Sequence, residues 1–209
     1  MMWLKICGIT SPEAVDAALQ AQVDAIGFVF APSVRRLAPA AAAVLAAPAR
    51  GRLWCVAVTQ HPDQQLVDDI LAQFRPDALQ SDLEDLSGLR LPRSLELLPV
   101  LRAGQAQPAQ LPARLLYEGA ASGTGVACDW TAACTIASRT QLVLAGGLTE
   151  RTVAAAIAQV SPFGVDVSSG VEAQPGIKSP RKILDFAQAA RAGFGALSSA
   201  RVLDEEHSP

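Results

Sequence analysis

The chain has 209 residues, half of them hydrophobic and 18% charged, with a formal net charge of −3. That length suits one large domain, and the apolar fraction supplies a core without disulfides. The charge balance excludes a nucleic-acid binder built on a basic stripe, and Cys7, Cys55, Cys128 and Cys134, with no CxxC spacing and no histidine cluster, read as reduced thiols.

No secretory leader is visible. The stretch from Leu37 to Ala49, broken by Pro39 and Pro48, falls short of the roughly 20 residues that cross a bilayer. A cytoplasmic protein is expected.

Apolar runs and helical stretches alternate along the chain. Strands are predicted at WLKIC (3–7), AIGFVF (25–30), LWCVAV (53–58), ALQS (78–81), ELLPVLR (96–102), RLLYE (114–118), QLVLAG (141–146) and GVDVS (164–168). Most are short and continuously apolar, as strands buried on both faces must be. Helices are predicted in SPEAVDAALQA, with Ser11 as cap and Pro12 at the first position, and then in PAAAAVLAA, DQQLVDDILAQF, TERTVAAAIAQV and ILDFAQAARA. The stretch 103–113, AGQAQPAQLPA, reads as a poor helix plus loop.

Eight strands separated by connections of helix length predict a parallel eight-stranded (β/α)8 TIM barrel of the α/β class. An open doubly wound sheet is the second choice, and no GxGxxG follows the first strand to support it. One domain over 1–195 is expected, followed by a polar, irregular and loosely held tail over 196–209.

In such a barrel the C-terminal strand ends carry the chemistry. Alternation puts Lys5 and Cys7 on one face of the first strand. A lone cysteine there is most simply a core residue, but Lys5 beside it would favour the thiolate and lower a thiol pKa from about 8.5. A base of that kind takes a proton from carbon next to an imine or carbonyl.

Arg35 and Arg36 follow the second strand. They are either a solvated loop pair or a fork for a ligand carboxylate or phosphate. The turns AGGL (145–148) and VDVSSGVE (165–172) end the last two strands in small residues, where backbone N–H groups approach an anion. Asp166 and Ser168 share a face of the eighth strand, and an interior carboxylate needs a partner or a ligand. Glu118, ending the sixth strand, is a surface glutamate or a candidate acid.

KICGIT, DAIGFVF followed by SVRR, GTG…DW, LAGGLT and VDVSSGVE…PGIK resemble, in that order, the phosphoribosylanthranilate isomerases of tryptophan biosynthesis. The resemblance runs from residue 3 to about residue 190. It implies a TIM barrel that performs an Amadori rearrangement of a phosphosugar substrate with no metal or organic cofactor. N-(5-phosphoribosyl)anthranilate becomes the 1-deoxyribulose 5-phosphate ketone. By the same resemblance Cys7 is the general base and the strand-six carboxylate the general acid. Arg36 holds the anthranilate carboxylate, Gly146, Gly147, Ser168, Ser169 and Gly170 cradle the phosphate, and Lys5 and Asp166 complete the substrate site. A monomer or homodimer is expected, with no nucleic-acid or membrane partner.

The sequence departs from the family's pattern twice. Glu118 stands where the family reads aspartate, and Asp82 lies near the place of the histidine in a QLHG-like strand-four end. Rival readings are another phosphosugar isomerase or epimerase, or a non-catalytic barrel that binds a phosphorylated ligand. The epimerases need metal-binding histidines, and this chain has only His61 and His207. The histidine-pathway isomerase has an aspartate where Cys7 stands.

Overall fold

The structure, a computed structural model, describes residues 2–120 and 128–206. The GTG at 123–125 lies outside the described residues. Short strands buried at every position, such as β1 (Trp3–Cys7) and β2 (Ala25–Val29), must be covered on both faces. They continue through β3 (Trp54–Val58), β4 (Ala78–Asp82), β5 (Glu96–Arg102), β6 (Arg114–Glu118), β7 (Gln141–Leu144) and β8 (Gly164–Val167). All neighbours are parallel, and β8 returns to pair with β1 in the register Lys5↔Asp166. The sheet is therefore closed, which rules out the open doubly wound alternative.

The helices follow local signals. The Ser11 side chain caps α1 (Pro12–Gln20) and Pro12 opens it, while α2 (Pro39–Ala46) again starts on a proline. Asp63 caps α3 (Gln64–Asp69), which widens into a π turn over Ile70–Phe74. Only the four residues of α4 (Leu83–Leu86) follow β4. The predicted weak helix at 103–113 is a loop, as Pro108, Pro112 and the left-handed Gly104 (φ 87°) require. Helices α5 (Trp130–Ala137) and α6 (Val153–Val160) flank β7.

After β8 comes a small antiparallel hairpin, β9 (Glu172–Gln174) and β10 (Ile177–Lys178). Helix α7 (Pro180–Glu206) packs against α6 and α1. It includes most of the stretch expected to be irregular from residue 196, because that segment continues the preceding helix without a breaker. Among the described residues no helix is long and apolar enough to cross a membrane, and the four cysteines are free thiols.

Strand parity divides the core in two. Leu4, Ile6, Ile26, Phe28, Leu115 and Val165 face outward to the helices. Trp3, Ala25, Val56, Ala78, Leu98, Leu116 and Val143 fill the barrel interior. The interior parity continues toward the C-terminal strand ends as Lys5, Cys7, Gln80, Asp82, Arg102, Glu118 and Asp166. One end of the barrel is thus apolar inside and the other is ionisable.

Candidate active site

Lys5 is fully buried, and its ammonium donates to Asp166 Oδ1 at 3.0 Å. The charge of the same ammonium also acts on the Cys7 thiol. Gly27 makes room for this pair. A Cβ on that glycine would lie 3.1 Å from Cys7 Sγ and 3.2 Å from Lys5 Nζ. The glycine of DAIGFVF is therefore a site residue that the motif alone left unexplained.

The expected lowering of the thiol pKa is overturned. Burial pushes the Cys7 thiol up, Lys5 opposes, and the Asp166 carboxylate adds to the rise, so the net direction is upward. Lys5 behaves in the opposite sense. Burial works against its charge, but Asp166 and Cys7 together outweigh it, and its pKa rises above the ordinary lysine value.

Three further ionic groups meet on the other side of the mouth. Arg102 donates from Nη1 to Glu118 Oε1 at 2.6 Å and from Nη2 to Asp82 Oδ1 at 2.7 Å. Sequence reasoning missed Arg102. Its signal was its parity: it ends ELLPVLR on the face that in the other strands points inward.

The turn after β7 needs its glycines for their conformation, and the turn after β8 needs its glycine for close packing. Gly146 and Gly147 sit at φ 91° and 66°, in the left-handed region. Gly170 serves packing between the turns, because a Cβ there would overlap the Leu148 carbonyl oxygen. Helix α6 starts at Val153 instead of Thr149. A local turn intervenes, in which the Thr149 N–H donates to Thr152 Oγ1 and the Arg151 N–H to Thr149 Oγ1.

Ser168 and Ser169 are half-buried at the end of β8. Ser168 Oγ donates to the Cys7 carbonyl at 3.1 Å, which ties turn eight to the end of β1. Lys178 of the hairpin donates to the Ser168 carbonyl at 2.9 Å and to Glu172 Oε1 at 2.9 Å. Glu172 in turn receives both arms of Arg35, at 2.6 and 2.8 Å. Its carboxyl is desolvated, but the two cations prevail and lower its pKa to about 2.

Cys7, Gln80, Arg102, Glu118, Asp166 and Ser168 line one cavity at this end, together with Arg35. Arg36 is exposed on the adjoining loop, with its N–H donating to the Ser33 carbonyl. A wider hollow of about 700 Å³ opens at the opposite end among Trp3, Trp54, Arg114 and Phe163, away from this ionic set. His61, Asp82 and Asp85 offer ligand atoms within 4.8 Å of one another. Both carboxylates are already engaged, Asp82 by Arg102 and Asp85 by His61 and Ser81.

The family model for N-(5'-phosphoribosyl)anthranilate isomerase matches residues 4–189. The chain belongs to that family. It is an intramolecular aldose–ketose isomerase of tryptophan biosynthesis. The N-(5'-phosphoribosyl)anthranilate isomerase of Brucella canis is 37% identical, over 89% of this chain and 92% of the relative. The crystal structure of TrpF from Jonesia denitrificans superposes with a TM-score of 0.79 at 34% identity, covering 92% of this chain and 98% of that one. A phosphoribosylanthranilate isomerase in complex with reduced 1-(o-carboxyphenylamino)-1-deoxyribulose 5-phosphate superposes at 0.73 with 26% identity, covering 92% and 100%. In this isomerase the family's barrel is thus retained with a glutamate at the end of β6 and an aspartate at the end of β4.

Proposed function

We propose that this chain isomerises N-(5-phosphoribosyl)anthranilate with Glu118 as general acid and Cys7 as general base. The observation that carries the reading is that both side chains line one cavity, from the C-terminal ends of β1 and β6. Glu118 protonates the ribose ring oxygen, and the C1–O bond breaks to give a protonated imine. Cys7, as thiolate, removes the C2 proton, and the resulting enolamine tautomerises to the ketone.

The raised thiol pKa fits this order of events. Burial disfavours the Cys7 thiolate, whereas a cationic imine beside it favours that form. The remaining assignments follow the family resemblance. Arg36, the second arginine of SVRR, holds the anthranilate carboxylate. Its neighbour Arg35 is forked onto Glu172 and Arg102 is shared by two carboxylates, which is consistent with that choice. The phosphate takes the turns of Gly146, Gly147, Ser168, Ser169 and Gly170, and Asp166, oriented by Lys5, accepts a ribose hydroxyl.

The test is turnover of the fluorescent anthranilate glycosylamine by Cys7→Ala and Glu118→Gln. Each is expected to lose about 10²–10⁴-fold in kcat with KM little changed. Near-normal kcat in either variant removes that residue from its role.

A further inference from the structure

Arg102 and Glu118 end neighbouring strands directly across from one another, and Asp82 ends the strand on the far side of Arg102. One guanidinium spans both carboxylates, at 2.6 and 2.7 Å. The three side chains are 11%, 13% and 6% exposed, in the order Arg102, Glu118, Asp82. We propose that Arg102 is a positioning residue for Glu118 and that Asp82 is the anchor holding Arg102 in that role. The proposal rests on the reading of Glu118 as general acid.

Geometry supplies the first half. A glutamate has one more rotatable bond than an aspartate, so its carboxyl loses more freedom when placed at a reacting atom. A planar guanidinium fixes a carboxylate in direction as well as distance. The guanidinium must itself be fixed, and a second carboxylate on its other amino group locks the plane. Without Asp82 the guanidinium loses the carboxylate on its Nη2 side, and its plane is held less firmly against Glu118.

Connectivity supplies the second half. Asp82 and Glu118 end the strands on either side of Arg102 and accept from different amino groups of its guanidinium. Loss of the Asp82 carboxylate removes one of the contacts that fix the guanidinium, and the donor that places Glu118 shifts with it. Asp82 therefore acts on the reaction through Arg102 without touching the substrate.

The experiment compares Asp82→Asn, Arg102→Lys, Arg102→Ala and Glu118→Gln, and the double variant Asp82→Asn/Glu118→Gln, by kcat, KM and thermal midpoint. Asp82→Asn is expected to lower kcat about tenfold or more while KM moves less than about threefold. Arg102→Lys, which keeps the charge and loses the fork, should fall between wild type and Arg102→Ala. In the Glu118→Gln background Asp82→Asn should cost nothing further, because the group it serves is gone. Wild-type kcat in Asp82→Asn, or a lowered midpoint with kcat retained, overturns the proposal. So does a kcat loss that persists in full in the double variant. If Asp82→Asn does not fold, Arg102→Lys decides by the same kcat-against-KM split. A mild Glu118→Gln removes the acid reading and the positioning role with it, whereas a severe Glu118→Gln beside a silent Asp82→Asn removes the positioning role alone.

Discussion

Lys5 Nζ lies 3.0 Å from Asp166 Oδ1 across the seam where β8 closes onto β1. The cation nearest Cys7 is thus itself held by a carboxylate. Part of its field is spent on Asp166, and burial then decides the state of the thiol. Proximity of a lysine to a cysteine in sequence predicts attraction. It does not predict the outcome once desolvation and a second anion enter.

Lys5→Met tests that balance. The substitution removes the group that lowers the thiol pKa and leaves the Asp166 charge, which raises it. Lys178 also lowers it and remains in place. Loss of the Lys5 charge pushes Cys7 further up, so the limb of the kcat/KM profile that reports the base moves to higher pH. Thiolate absorbance titrated in the free protein should move the same way. An unmoved limb removes Lys5 from the account of Cys7.

Gly27→Ala asks how tightly the first two strands are fitted. The added methyl would press on Cys7 Sγ at 3.1 Å and on Lys5 Cε and Nζ at 3.2 Å. Both side chains must give by a few tenths of an ångström inside a packed interior. We expect a fall in kcat of about tenfold, since small misplacements of a reacting group are costly, with KM nearly constant. A variant with wild-type kcat would mean that the Cys7 position is not demanding.

Strand ends and side-chain parity are properties of the sequence, so the barrel and the inward facing of Lys5, Cys7 and Asp166 were legible, whereas Glu118 stood open between the surface and the site. What was not legible comes from the meeting of distant strands. Asp82 and Glu118 stood in the sequence as two separate departures from the family's pattern, 36 residues apart by their numbering. The structure joins them on Arg102. Arg35 and Arg36 are adjacent, and only the path of the loop sends Arg35 to Glu172 and leaves Arg36 exposed. Thr149 and Thr152 use their hydroxyls within a turn, which is why α6 starts later than its composition suggested.

Gly170→Ala should act on binding before chemistry. Its Cβ would overlap the Leu148 carbonyl oxygen, and backbone on backbone has no flexible end to yield. Turns seven and eight must separate, and the proposed phosphate cradle separates with them. KM is expected to rise about tenfold or more, with a smaller change in kcat, the signature of lost ground-state binding. Inhibition by inorganic phosphate should weaken in parallel. An unchanged KM would take the phosphate away from these turns.

Glu172→Gln bears on stability and on its dependence on pH. Glu172 is nearly buried between Arg35 and Lys178, and its pKa falls from 4.5 to about 2. A carboxyl lowered on folding stabilises the protein above its unfolded value, and the contribution is lost as pH falls from about 4.5 through about 2. Burial lowers the pKa of Lys178, so part of the gain on the glutamate is offset by the cost of the buried ammonium. Glutamine leaves both cations without their counter-ion, and breaking such a pair costs about 3 kcal/mol or more near neutrality. Urea midpoints near neutrality should therefore drop in the variant. Below pH 4.5 the gap between variant and wild type should close, because wild-type Glu172 is taking up the proton that glutamine cannot. Parallel loss of stability in the two proteins down to the acid limit would show that the Arg35–Glu172–Lys178 network does not set the acid sensitivity of the barrel.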